Sequence, residues 1–287
     1  LLPQSIDSLL RQTVKPEEIV ILDNESTDNT KEVVSRYKEC RYIKTTGFMG
    51  NFYKTYEIAD KDYLMLFHDD DLLHPQYLEF AQSLIEKYKP ALITTRYTRF
   101  NDNNLPILPK EINRDFYLFD NQKDLVRYMI GVEGVAYAPA IYRRDCFLKE
   151  DIEYYKYGKF NDWPFMAKMG FHGKTIITAD ENIFYARIHS GQDTRNNNTC
   201  ISGQQIINWD KFFYQILGGD PLTSKSYHFL KSKYLQFTTE EFKKSCSIEE
   251  LLNKFLEQCP NINSVYNRKL LLRLKHKIAV EKLHNKI

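Results

Sequence analysis

Five residues, Tyr63-Leu64-Met65-Leu66-Phe67, form an apolar run, and His68 and three aspartates, Asp69, Asp70 and Asp71, follow without a break. The run belongs in a core, whereas successive carboxylates enter one only with a partner for their charge. So short and continuous a run reads as a strand buried on both faces, over 63–67. Pro75 then stands where a first helical residue needs no N–H, which predicts a helix from Pro75 to Tyr88. A strand that ends in polar residues and turns into a helix is the repeating unit of an open α/β sheet. Ligands of such sheets bind in the crevice beyond the carboxyl ends of the strands.

The same unit recurs through the first hundred residues. Ile6, Leu9 and Leu10 fall at helical spacing and predict a short helix over 4–12. Ile19-Val20-Ile21-Leu22 reads as a strand, and the polar cluster Asp23 to Thr30 after it caps a helix from Thr30 to about Tyr37, with Asp28 or Thr30 as N-cap. Tyr42 to Thr45 reads as a strand, Gly47 and Gly50 mark a turn, 51–59 is helical, and Ala91 to Thr95 is a further strand. Short apolar strands alternating with helices predict an α/β fold, a mostly parallel central sheet with flanking helices.

Beyond residue 100 the pattern loosens. Residues 100–118 are turn-rich, 123–130 reads as a helix, and 135–142 reads as a strand that Pro139 confines to an edge or a bulge. A helix over 160–169 opens at Asn161-Asp162, and 175–178 and 183–186 are short strands. Residues 191–200 form a polar, Asn-rich loop. After 203 only helical patterns remain, over 203–217, 223–236, 248–257 and 264–284.

Composition narrows the function classes. An apolar content of 43% is that of an ordinary globular chain, and a formal net charge of +2 argues against a dedicated nucleic-acid binder. The five cysteines, Cys40, Cys146, Cys200, Cys246 and Cys259, include no C-x-x-C pair, so neither a disulfide framework nor a zinc site is indicated, and a reducing cytoplasm is the simpler setting. No apolar run approaches the roughly 18–20 residues that span a bilayer. The chain opens Leu1-Leu2-Pro3, without an initiator Met or a signal pattern, and is expected to lack upstream residues.

Three acids after one strand exceed what capping a helix requires. Hard cations such as Mg²⁺ and Mn²⁺ are held by one or two carboxylates together with substrate phosphates, so the cluster points to a metal and diphosphate site. Asp23-Asn24 has two readings: a capped turn, or a carboxylate and an amide that hydrogen-bond a base or ribose.

The two stretches together, ILDNESTDNT over 21–30 and GFMGNFYKTYEIADKDYLMLFHDDDLLHP over 47–75, resemble the inverting family-2 glycosyltransferases of GT-A fold, the bacterial cell-surface polysaccharide type. Members show a V-V-D-x-x-S-x-D-x-T stretch and then a D-x-D element ending a buried strand. The likeness runs to about residue 195, and the opening strand of the family, with its nucleotide-binding turn, is absent. It implies a sugar-nucleotide donor, UDP-linked, a Mn²⁺ or Mg²⁺ cofactor, and hexosyl or N-acetylhexosaminyl transfer, with inversion, to a hydroxyl of a glycan or lipid-linked acceptor.

Carried over onto this chain, the resemblance implies that Asp23 and Asn24 contact the base and ribose. Asn24 stands where some members have a second aspartate. His68 stands where many have the first acid of the D-x-D element, which shifts that element to Asp69-x-Asp71. Asp70 and Asp71 are then the metal and phosphate-side residues, with Asp69 near the ribose or donor sugar. The acid that opens a later helix serves as general base in this family, which makes Asp162 the catalytic candidate. The residue reading of Asp162 alone is an N-cap, and the two roles can coexist. Trp163 beside it either stacks on an acceptor sugar or fills the core. Arg187-Ile188-His189 is similar to an R-x-H segment near the diphosphate, so Arg187 is expected to pair with a phosphate and His189 to ligate the metal or meet a phosphate. The coreless loop from Ser190 to Thr199 suits a lid.

This organisation implies a catalytic domain over 1–200, with a nucleotide-binding part at 1–99 and an acceptor-side part at 100–200, followed by an all-helical appendage at 201–287. Within the appendage, Arg268 to Ile278 mixes basic and leucine residues at helical spacing. Such a helix either lies on the inner face of a membrane or packs its leucine face on the domain. Two rival functions stand beside the transferase: a nucleotidyltransferase, which calls for a glycine-rich phosphate loop that these residues lack, and an inactive sugar-nucleotide-binding scaffold.

Overall fold

The structure is a computed structural model of the 287-residue chain and describes residues 1–47, 49–131, 135–158, 161–190 and 203–217. The helices expected over 223–236, 248–257 and 264–284, the basic segment Arg268 to Ile278 and the loop at 191–199 lie outside the described residues.

The chain enters through helix α1 (Leu2–Leu10), with proline in its first turn, and buries Ser5, Ile6 and Leu9, one stripe of the helix. Strands β1 (Ile19–Asn24) and β2 (Cys40–Thr45) pair in parallel, with Asp23 opposite Lys44. Helix α2 (Thr30–Val34) makes the crossover between them. It is shorter than the 30–37 expected, since Arg36 and Tyr37 bond back only three residues, to Val33 and Val34, as turns. Helix α3 (Gly50–Ile58) follows β2 and leads to β3 (Tyr63–Met65). The strand expected to be buried on both faces over 63–67 is half-buried and lies at the edge of its sheet, so one side has no neighbouring strand among the described residues to cover it. It stops at Met65, and only the amide of Leu66 continues the pairing, donating to the Ala140 carbonyl at 3.0 Å.

After the acids come β4 (Leu72–Leu73), α4 (Tyr77–Tyr88), β5 (Leu92–Thr95), β6 (Thr98–Phe100), β7 (Phe116–Phe119) and α5 (Gln122–Gly131). Helix α4 buries Tyr77, Phe80, Ala81 and Leu84, spaced three and four apart, so its inner stripe joins the core. The remaining elements are β8 (Ile141–Arg143), α6 (Tyr154–Tyr157), α7 (Asp162–His172), β9 (Thr175–Thr178), β10 (Phe184–Arg187) and α8 (Gly203–Leu217).

Five strands form the central sheet in the order β3-β8-β5-β9-β7. The expected mostly parallel sheet is mixed. Only β5 and β9 pair in parallel within it, because β8 lies antiparallel between β3 and β5, and β7 lies antiparallel on β9. An apolar run reads the same in either direction, so strand polarity was hidden in the pattern. The parallel pair is also the most enclosed: all four residues of β5 and all four of β9 are buried.

The strand expected over 135–142 is Ile141–Arg143, beginning past Pro139, and it runs inside the sheet instead of at an edge. Pro139 sits outside the ladder, with its carbonyl accepting the Tyr77 hydroxyl at 3.0 Å. A second sheet, in the order β4-β10-β6, draws the residues after the acids onto β10, pairing Leu72 with Tyr185 and Leu73 with Phe184.

The chain folds as two units. One comprises Leu1–Leu125, Gly134–Ile152 and Met166–Ser190, and the other Val126–Glu133, Glu153–Phe165 and Gly191–Ile287. Within the second, α6 and α8 meet through aromatic rings, Tyr157 on Phe212 at 5.7 Å between centroids, and within α8 Trp209 lies on Phe213 at 4.4 Å. Gly158, at φ 65°, closes α6 where a Cβ would come within 2.8 Å of the Gln205 amide oxygen.

Candidate functional site

The acid turn lies between β3, in the central sheet, and β4, in the second sheet. Its main chain is held from α1, where the Ser5 hydroxyl donates to the His68 carbonyl at 2.8 Å. Asp71 is 3% exposed. One of its carboxylate oxygens accepts the backbone N–H of Arg187 at 2.8 Å, and the other lies 3.2 Å from Nδ1 of His68. Asp70 Oδ2 lies 3.0 Å from His189 Nε2.

Ligand atoms of His68, Asp70 and Asp71 all lie within 4.8 Å of one another, the group among the described residues with the spacing of a metal site. Asp69 stands outside it. His189 touches it through Asp70. His68, seen in the sequence only as a residue in an acid's place, is thus brought into the group. The His68 side chain is 56% exposed; the desolvation its neighbours impose works against a charged imidazole, but the hydrogen bond to Asp71 and the charges of Asp71, Asp70 and Asp69 outweigh it and raise the pKa above the ordinary histidine value. Two carboxylates and one imidazole are a donor set that Mn²⁺ accepts readily, while Mg²⁺ prefers oxygen alone.

Arg187, at the end of β10, is 1% exposed. Its Nε donates to the Asp70 carbonyl at 2.6 Å and one terminal nitrogen to the Gln4 side-chain oxygen at 2.6 Å, while the other pairs with the Asp102 carboxylate. The guanidinium lies over the Phe100 ring, 4.6 Å from its centroid. Sequence reasoning missed Gln4 and Asp102. They lie 183 and 85 positions from Arg187, and no local pattern marks them.

A second constellation sits at the end of β1. Asp23 is 5% exposed, accepts the Ser26 N–H at 2.9 Å and accepts the Tyr42 hydroxyl from β2. Burial pushes the Asp23 pKa up, but these hydrogen bonds and the Lys44 charge prevail and bring it below the usual carboxylate value. Asn24, next along the strand, is exposed. Asn51, in the first turn of α3, donates to the Leu22 carbonyl at 3.1 Å and accepts the Thr45 hydroxyl, so the helix is stitched to both strands. Gly50 allows that approach: a Cβ there would stand 3.3 Å from Thr45 Cβ and 3.5 Å from the Asn24 side-chain oxygen.

Asp162 and Trp163 belong to the second unit. Asp162 is the first residue of α7, where one carboxylate oxygen accepts the Trp163 N–H at 2.9 Å. The Trp163 ring meets Trp209 at 6.4 Å between centroids, tilted by 42°.

The arrangement is an α/β unit whose strand ends present a hydrogen-bonded carboxylate at one point and a clustered His-Asp-Asp group at another. A profile of glycosyl transferase family 2 matches residues 1–149 of the 287. The chain belongs to glycosyl transferase family 2, and its fold is the GT-A type of that family.

Its backbone is similar to that of S. aureus TarS. The crystal structure of TarS 1–349 in complex with UDP matches with a TM-score of 0.61 and 15% identity, over 99% of this chain and 87% of that one. The complex with UDP-GlcNAc matches with a TM-score of 0.61 and 16% identity, over 90% and 78% of the two chains. The chain is also 28% identical over 91 residues to an uncharacterized glycosyltransferase, the MG060 homolog of Mycoplasma pneumoniae. That match spans 29% of this chain and 30% of the length of that curated relative. No helix among the described residues is long and apolar enough to cross a membrane.

Proposed function

We propose that this protein is a metal-dependent inverting glycosyltransferase. It moves a sugar from a UDP-linked donor to a hydroxyl of a glycan or lipid-linked acceptor during cell-surface polysaccharide synthesis. The observation that carries the reading is the His68, Asp70 and Asp71 group, clustered within 4.8 Å beyond the end of β3 in a family-2 fold. The TarS structures with UDP and UDP-GlcNAc support a uridine donor.

Asp70 and Asp71, with His68 or His189, would hold Mn²⁺ or Mg²⁺, which would supply Lewis-acid stabilisation of a departing diphosphate. Each residue then has a defined task. Asp23, kept ionised by Ser26 and Tyr42, accepts a base N–H, and Asn24 hydrogen-bonds the base or ribose. Asp69 faces the ribose or donor sugar. The buried charge of Arg187 adds positive potential beside the acids. Asp162 takes the proton of the acceptor hydroxyl as its oxygen attacks the anomeric carbon from the face opposite the diphosphate. Trp163 offers a ring to the acceptor sugar. The basic segment Arg268 to Ile278 holds the protein peripherally at the inner face of the membrane, which suits a lipid-linked acceptor.

Two measurements test the reading. A panel of nucleotide sugars, with and without Mn²⁺, should raise the melting temperature with UDP-sugars and Mn²⁺ together. No stabilisation by any nucleoside diphosphate sinks the scheme. Asp162→Asn should lose transfer while keeping donor binding. Normal turnover in that variant rejects Asp162 as the base, and a wild-type protein that binds donor without turning it over is the scaffold.

A further inference from the structure

Arg187 invites a phosphate-binding reading, yet its guanidinium is already spent on the protein. We infer that Arg187 is a positioning residue, held by Gln4 and Asp102, whose task is to fix the acid turn that presents His68, Asp70 and Asp71. For the metal this inference rests on the function proposed above. For the clamp it rests on geometry alone.

Several contacts converge on this one residue. Its backbone N–H donates to Asp71 at 2.8 Å, which orients that carboxylate. Its Nε donates to the Asp70 main-chain carbonyl at 2.6 Å, which fixes the turn itself. Its two terminal nitrogens reach outward to Asp102, just past β6, and to Gln4 on α1. Phe100 closes one face of the guanidinium plane.

The distribution of exposure gives the arrangement its logic. The Arg187 side chain is 0% exposed and that of Asp102 is 60% exposed. A fully desolvated cation requires a paired anion. Here the anion stands at the surface while the cation it neutralises touches the acid turn from within. Gln4 fixes the remaining direction of the planar fork, whose donors lie at set angles. The same strand end carries His189, two residues on, to Asp70 Oδ2. The end of β10 therefore grips the turn at a carbonyl and at two carboxylates. Asp102 and Gln4, remote in sequence and outside the ligand group, determine whether that grip holds.

The test uses the full chain free of metal and compares Asp102→Asn, Gln4→Ala and Asp102→Glu with wild type. The first readout is amide hydrogen exchange. Asp102→Asn should accelerate exchange at Arg187 and across 69–73 by tenfold or more, with the amides of β5 and β9 unchanged. Gln4→Ala should do the same to a smaller degree, and Asp102→Glu should restore protection. Exchange at Arg187 and the turn within twofold of wild type in both Asp102→Asn and Gln4→Ala overturns the clamp. If Asp102→Asn does not fold, Gln4→Ala alone decides, since it leaves the charge pair intact.

The second readout is the Kd for Mn²⁺ alone, by electron paramagnetic resonance. Loss of a partner that orients ligands weakens metal binding by about 10–100-fold. Asp102→Asn is expected to show that loss, with recovery in Asp102→Glu. An unchanged Mn²⁺ Kd alongside faster exchange overturns the link from clamp to metal. Should wild type itself bind no Mn²⁺, the proposed metal dependence fails, and the exchange data still decide the clamp.

Discussion

Asp71 offers the sharpest quantitative test, because its two carboxylate oxygens serve different partners. Replacement by Asn keeps an acceptor for the Arg187 N–H, at 2.8 Å in the wild type, and loses only the charge facing His68. Replacement by Ala removes both. Asp71 is 3% exposed, so water cannot easily serve the abandoned Arg187 donor. Leaving such a donor unsatisfied costs ~1–3 kcal/mol, and the lost hydrogen bond to a charged group adds ~1.5–3 kcal/mol, partly overlapping with it. The expected loss is therefore about 2–4 kcal/mol for Asp71→Ala and about 1 kcal/mol for Asp71→Asn.

The two variants should also differ from wild type in a pH-dependent way. Asp71 is the main source of the raised His68 pKa, from an ordinary 6.5. A group whose folded pKa is raised adds stability that is fully present below its unfolded pKa and lost as pH rises through the folded value. Removing Asp71 removes this contribution, so the deficit against wild type should be larger at about pH 5 than at about pH 9. Urea unfolding in the presence of chelator, at both pH values, measures it. Equal losses for Ala and Asn, or a deficit that does not shrink as pH rises, would refute the assignment of one oxygen to Arg187 and the other to His68.

The remaining expectations concern the nucleotide end and the core. Tyr42→Phe takes a donor from Asp23, so the carboxylate pKa should rise and UDP affinity should fall, read by NMR titration and calorimetry. Because the Asp23 pKa is lowered, its stabilising contribution is present above about 3.8 and fades as pH falls through the folded value, so the variant should resist acid less well. Gly170→Ala, on the inner side of α7, sets a Cβ 2.6 Å from the Gln122 Cα, and the overpacking should destabilise by ~1–3 kcal/mol in chemical denaturation. Leu84→Ala, in the buried stripe of α4, should cost ~2–5 kcal/mol by the same assay, and a loss below half a unit would mean the stripe is not core.

Much of the architecture was legible from local pattern. Thr175–Thr178 appears as read, Leu92–Thr95 lies within the expected 91–95, and helix α8 spans the 203–217 expected for it. Each is an apolar run or stripe long enough to declare its own period. The elements that escaped were β4 and β6, at two and three residues too short to carry a period, β7, which overlaps the turn-rich stretch 100–118, and α6, a single turn. The mixed direction of the central sheet escaped for a different reason. Strand polarity depends on which neighbour a segment joins, and β8 joins β3 and β5 from far along the chain.

Taken alone, the sequence determined that a short apolar strand is followed closely by carboxylates, that the flanking elements alternate strand and helix, and that the chain resembles family 2. These follow from hydrophobic period, capping chemistry and charge, all of which act between near neighbours. The tertiary structure decided that the strand is a half-buried edge strand and not a buried one, and which of those polar residues meet. It set His68 beside Asp71 and His189 beside Asp70, and it buried Arg187 between Gln4, Asp102 and the acid turn. The physical reason is desolvation. A charge removed from water must find its partner wherever the fold has brought one, and sequence distance places no limit on that choice.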